Sequence, residues 1–212
     1  MTSLYRLDRS ARDVAQAFGA RPGDDPWAGG YAAPGRFAPV LTAGRDFIAG
    51  PRPQGASRQP RLVPRLWGVL PPPQADDPSR RIPTLANPQS PFWIGNLRNS
   101  EFRCLVPATA IMLWGEGTDH EGRRLRHWFA PAGAAVFAMA GVWKDEEVPA
   151  FAIVTQAAHG GPAKAGARTM PLVLAHGDPA CDIWLHGGWD RAAGVLHPSD
   201  GPDLAEIPAP HG

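Results

Sequence analysis

Cysteine is nearly absent from this chain: 212 residues carry two, Cys104 and Cys181. Two isolated thiols make neither a disulfide framework nor the paired spacing of a zinc site, so both are expected as free, buried thiols in a reducing compartment. The seven histidines are scattered singly, which leaves no metal-ligand spacing, and no metal or cofactor is expected. Nowhere do 18 apolar residues run together, and the opening stretch MTSLYRLDRS has no apolar core. Neither a membrane span nor a signal peptide is therefore expected, and the cytoplasm is the expected location. Lysine is scarce as well, with only Lys144 and Lys164 present.

What remains is rich in turn formers. There are 25 Pro, 24 Gly and eight Trp in a chain that is 43% hydrophobic, which points to a folded protein of short strands and many turns. The net charge of +1 hides an asymmetry: residues 1–104 hold 14 Arg against 8 acids, whereas the remainder is acidic on balance. A guanidinium grips phosphate in bidentate fashion and stacks on bases, so an arginine-rich half is compatible with nucleic acid. A genome rich in G and C gives the same bias with no functional meaning.

Patterning supplies the elements. Ser10 to Phe18 reads as a helix, capped by Ser10 with Asp13 three residues on and stopped by Gly19. A turn-rich region from Arg21 to Pro60 follows; within residues 36–65 six arginines accompany one Asp, as a phosphate-facing hairpin or a solvated loop. Strands are expected at Leu62–Leu70, Phe102–Ala108, Ala110–Trp114, Val136–Trp143, Ala150–Thr155 and Pro171–Leu174, with a Gly-rich loop at 160–169. Asp178 and Pro179 open a second helix that Gly187 stops. The reading is an α+β, mainly β domain, a curved sheet or barrel with a few short helices, over residues 1–196. Residues 197–212 read as a Pro-rich, loosely ordered tail.

Several separated segments, in order, resemble the SOS-response-associated peptidase (SRAP) family. They are Tyr31-Ala-Ala-Pro34-Gly35 followed by Ala38-Pro39-Val40, Leu66-Trp67-Gly68-Val69-Leu70-Pro71, and Arg103-Cys104-Leu105-Val106-Pro107-Ala108. Ala140-Gly141-Val142-Trp143, Phe151 to Thr155, and Met170-Pro171-Leu-Val-Leu174 continue the series, with Trp184-Leu185 beyond. The resemblance implies an abasic-site processing protein that binds single-stranded DNA. In that family an N-terminal Cys, freed of Met, condenses with the sugar aldehyde and closes a thiazolidine crosslink, while an Asn, a Glu and a His move the protons.

This chain departs from that pattern at the reactive positions. The thiol position is Thr2, the carboxylate position Leu113 and the imidazole position Ala167. The Asn is kept as Asn87, but its neighbours are Pro88-Gln89-Ser90. Thr is small enough for Met1 to be excised, and an α-amine of pKa about 8 is partly neutral at pH 7 and can attack an aldehyde. Thr2 and Asn87 are therefore the candidate reactive residues, with a reversible imine expected in place of a stable crosslink. Trp67, Arg6, Arg103 and Arg168 are the candidate DNA contacts; Trp67 is either a stacking platform or core, while Trp114 and Trp143 read as core. His159 sits in the wrong loop to replace the lost imidazole. A monomer is expected, with single-stranded DNA as partner. The competing expectation is a catalytically dead scaffold that binds another protein through an apolar patch at Leu4, Met112 and Leu113. A third is an enzyme using the Thr2 hydroxyl as nucleophile.

Overall fold

A computed structural model describes residues 4–44, 59–175, 177–196 and 201–210. The chain enters as β1 (Leu4–Leu7) and passes into α1 (Ala11–Ala17). Ser10 starts that helix as its sequence dictates: its hydroxyl accepts from the Asp13 N–H and the Asp13 carboxylate accepts from the Ser10 N–H. Gly19, at φ +58°, takes the left-handed turn just past its end. There follow β2 (Gly30–Ala32), β3 (Phe37–Thr42), β4 (Arg61–Trp67), β5 (Thr84–Leu85), α2 (Pro91–Arg98) and one 3-10 turn (Ser100–Phe102). The central strands are β6 (Arg103–Ala108), β7 (Ala110–Thr118), β8 (Arg124–Pro131), β9 (Phe137–Lys144) and β10 (Ala150–Ala157). The remainder comprises α3 (Gly160–Lys164), β11 (Thr169–Pro171), β12 (Val173–Leu174), α4 (Pro179–His186), α5 (Trp189–Gly194) and β13 (Leu204–Ile207).

Mainly β, with short helices, is thus what forms. In the larger sheet β10 pairs with both β4 and β9, and the order β10-β4-β3-β6-β9 closes on itself as a barrel. A second sheet, in the order β13-β8-β7-β1-β2, packs beside it, and Thr109 links the two by donating its N–H and hydroxyl to Arg6 O. One continuous core runs through both. A small second cluster, Ala110, Met112 and Trp128 with Leu4, Trp114 and Ile207 against it, covers the opposite face of the second sheet.

Three expectations are corrected. The turn-rich region from Arg21 holds β2 and β3; Pro39 is tolerated in β3 because it faces Pro64 of β4, so the missing N–H groups fall at one rung. The Gly-rich loop at 160–169 begins with α3, and α2, absent from the expected elements, is capped by Ser90 with Pro91 at its first turn. The tail is not loose throughout: Leu204–Ile207 pairs with β8, because Leu204 is 5% exposed in the main core and Ile207 packs on the second cluster. Tyr31 then donates its hydroxyl to Pro210 O, fastening the segment beyond β13 to β2. No described helix is long and apolar enough to cross a membrane.

Candidate nucleic-acid interface

The register and one close approach bring the loop that holds Ala167 against the strand that holds Leu113. Leu4 lies opposite Met112, so the start of β1 runs beside Leu113 on β7. Gly166, at φ +85°, lets the loop before β11 press against β7: an added Cβ there would come within 2.6 Å of Glu116 N, and Glu116 N donates to Ala165 O. Ala167 is held in this loop. Asn87 comes two residues after Leu85, whose carbonyl accepts from Thr155 Oγ1 on β10, where β10 also meets β11. Thr2 lies outside the described residues.

The positions that lost chemistry are packed shut. Leu113 is 1% exposed and Ala167 9% exposed, both in the main core. Asn87 is exposed, and its Oδ1 accepts from Gln89 N at 3.0 Å, an Asx turn that holds the loop leading to α2. His159, at the start of α3, pairs its Nε2 with the Gln156 side chain at 3.2 Å.

Two of the four candidate DNA contacts are structural. Trp67 is fully buried, donates Nε1–H to Pro83 O at 2.9 Å and lies parallel to Phe151 at 6.2 Å, so no base reaches its face. Arg103 is fully buried too, and its guanidinium donates to Leu97 O, Trp184 O and Gly187 O. Those carbonyls close α2 and α4, so the side chain caps two helix C-termini at once. Neither Trp67 nor Arg103 therefore presents a surface to a strand near Asn87. Arg6 is tied to Asp8 at 2.6 Å and lies over the Tyr31 ring at 4.7 Å. Arg168 alone of the four is exposed, on the rim beside Ala167.

What sequence reading missed stands next to Arg168. Trp114, expected as core, is half-buried, and the guanidiniums of Arg124 and Arg126 each lie 5.4 Å from its ring. The alternation of β8 puts both exposed arginines on one face, and the register sets Arg126 opposite Trp114. With Gly115, Glu116, Gly117 and Gly166, the residues Trp114, Arg124 and Arg168 line a cleft of 570 Å³. Arg123 beside them is neutralised by Asp119 at 3.0 Å and Glu121 at 2.7 Å. Arginines flanking an indole are suited to phosphate and base together. The Arg45, Arg52 and Arg58 side of the expected basic hairpin lies outside the described residues.

No thiol replaces the one missing at position 2. Burial pushes both upward, Cys104 far beyond its ordinary value and Cys181 to about 12. Cys181 is half-buried rather than buried as expected. The thiolate is the reactive form, and a group of raised pKa forms it only as pH rises. At pH 8 Cys181 is therefore expected to react with iodoacetamide roughly 10³-fold more slowly than a free cysteine of pKa about 8.5. Mass spectrometry of native and unfolded protein checks this.

The family model for SOS response associated peptidase (SRAP) matches residues 1–209. Three crystal structures are similar in fold. A protein from Bordetella bronchiseptica has TM-score 0.69 at 17% identity, covering 98% of this chain and 100% of its own. One from Bacteroides thetaiotaomicron has TM-score 0.68 at 15% identity, covering 97% and 91%. A phage-related protein from Bordetella bronchiseptica has TM-score 0.67 at 17% identity, covering 97% and 93%. Among curated proteins none matches the sequence.

Proposed function

The chain belongs to the SRAP family, and on that premise we propose that it binds single-stranded DNA at abasic sites and holds the sugar aldehyde only as a reversible imine. The observation that carries the binding is Trp114, over whose ring Arg124 and Arg126 lie, with Arg168 lining the same cleft. A strand laid there stacks a base on the indole and sets its phosphates against guanidiniums. Asn87, on the adjoining loop, is the remaining polar family residue. The amine is that of Thr2 once Met1 is removed; its hydroxyl closes a ring less durably than a thiol, and neither Leu113 nor Ala167 moves a proton. The family name does not commit the chain to cleaving proteins.

The scaffold reading loses its surface: Met112 and Leu113 are 3% and 1% exposed, so no apolar patch is offered where it was expected. The binding reading is tested by fluorescence anisotropy on an abasic single strand at several salt concentrations. Each of Arg124→Ala, Arg126→Ala and Arg168→Ala is expected to flatten the slope of log K against log salt by about 0.7. Trp114→Ala is expected to cost ~1–3 kcal/mol of affinity at every salt concentration. Absence of binding by the wild type at low salt rejects the proposal.

A further inference from the structure

One imidazole lies between the two positions that lost their reactive groups. His127 of β8 is the cross-strand partner of Leu113, so its side chain leaves the same face of the sheet. Its Nδ1 is 2.7 Å from Glu206 Oε1, supplied by β13. The ring lies over Gly115, where an added Cβ would come 2.5 Å from Nε2 and 2.9 Å from Ala165 O. Glycine at this position thus makes the room in which the ring reaches toward the loop carrying Ala167. The side chain is 22% exposed, and among the described residues Nε2 has no hydrogen-bond partner. A carboxylate on one ring nitrogen fixes the tautomer and the orientation and leaves the other nitrogen free to take and return a proton.

Resting on the imine reading above, we infer that His127, positioned by Glu206 beside Leu113 and Gly115, is the proton-transfer residue of imine formation, in place of the Glu and His that the chain lacks. With both ring nitrogens protonated at the outset, the amine nitrogen adds to the aldehyde carbon, Nε2–H protonates the alkoxide and Nε2 takes an N–H proton in exchange, giving a carbinolamine. Nε2–H then protonates that hydroxyl, which leaves as water while the nitrogen lone pair forms the C=N bond. The iminium N–H proton returns to Nε2. The amine and aldehyde have become an imine and water, and the imidazole ends as it began.

The alternative role for this pair is mechanical, a clip holding β13 to β8. Borohydride trapping of an abasic single strand by the full-length chain, followed as a single-turnover rate, separates the two. Binding is measured in parallel on a strand carrying tetrahydrofuran, which has no aldehyde, and folding by thermal melt. His127→Ala is expected to slow trapping about 10²-fold without changing tetrahydrofuran-strand affinity, and free imidazole to restore the rate. Glu206→Gln, which keeps the shape of the clip, is expected to slow trapping about 10-fold and serves also if His127→Ala does not fold. Trapping at the wild-type rate in both variants, or a loss that imidazole does not restore, overturns the inference and leaves the imine reading standing. A wild type that binds the tetrahydrofuran strand and traps nothing overturns the imine reading itself, and the inference with it.

Discussion

Replacing Arg103 by methionine is expected to lower the melting temperature by about 10–15 °C and to leave single-strand affinity unchanged. Methionine fills comparable volume without a donor. The Leu97, Trp184 and Gly187 carbonyls then stay buried with nothing to accept from, and the ends of α2 and α4 lose the charge that faced them. Breaking a buried charged network of this kind costs about 3–5 kcal/mol. Burial draws the Arg103 pKa down to about 10, so the guanidinium is charged in the folded and unfolded states alike at neutral pH. Below that value neither state exchanges protons at this group on unfolding, and the destabilisation is expected to be the same from pH 6 to pH 9. Arg103→Lys keeps the charge on a single nitrogen and is expected to recover part of the loss. Differential scanning calorimetry measures both variants. A fall in salt slope for a folded Arg103→Met protein would instead make the residue a phosphate contact.

Arg103 also shows where sequence reading succeeds and where it stops. Local rules placed what local chemistry decides: the Ser10–Asp13 capping box, the Asp178 cap and the apolar runs of β6, β9 and β10 are governed by neighbours within a few residues. Nothing local reveals that Arg103 and Trp67 are buried, because their partners are distant in sequence. Arg103 is satisfied by carbonyls 81 and 84 residues away as well as by Leu97, and Trp67 by Pro83 and Phe151. An arginine before an apolar strand looks the same whether its head meets water or two helix ends. The tail misled for the same reason, since Leu204 and Ile207 gain a core only when β8 is beside them.

The candidate site was legible only in outline. The loss of the thiol, carboxylate and imidazole positions is read from Thr2, Leu113 and Ala167 directly. The cleft lined by Trp114, Arg124 and Arg168 is not, because β8 lacks a strong strand signature: Arg124, Arg126 and His127 break up its polar half. Once that strand is placed, period-2 alternation sends Arg124 and Arg126 to the face of Trp114, and sends His127 to the face of Leu113. The same four-residue stretch thus contributes to the binding reading on one face and to the proton-transfer inference on the other.

Thr2→Cys is the substitution expected to change the chemistry most. A thiol adds to an imine carbon to give a thiazolidine, whereas the threonine hydroxyl gives a ring that hydrolyses readily. With an abasic single strand, the wild type is expected to yield an adduct only when borohydride is present. The Thr2→Cys protein is expected to yield one that survives heating in detergent without it, read as a shifted band on a denaturing gel. Intact mass is measured first and is expected to show Met1 removed, since a blocked amine forms neither product. Restoring the carboxylate as well does not follow from the same logic. Leu113 is 1% exposed and packed in the core, so Leu113→Glu places an acid where burial raises its pKa and holds it neutral or expels it. That change is expected to cost about 3 kcal/mol or more, and Thr2→Cys with Leu113→Glu is expected to melt lower than Thr2→Cys alone and to crosslink no faster. A faster crosslink in the double variant would mean that the cleft still admits the lost carboxylate, and that His127 does not hold its place.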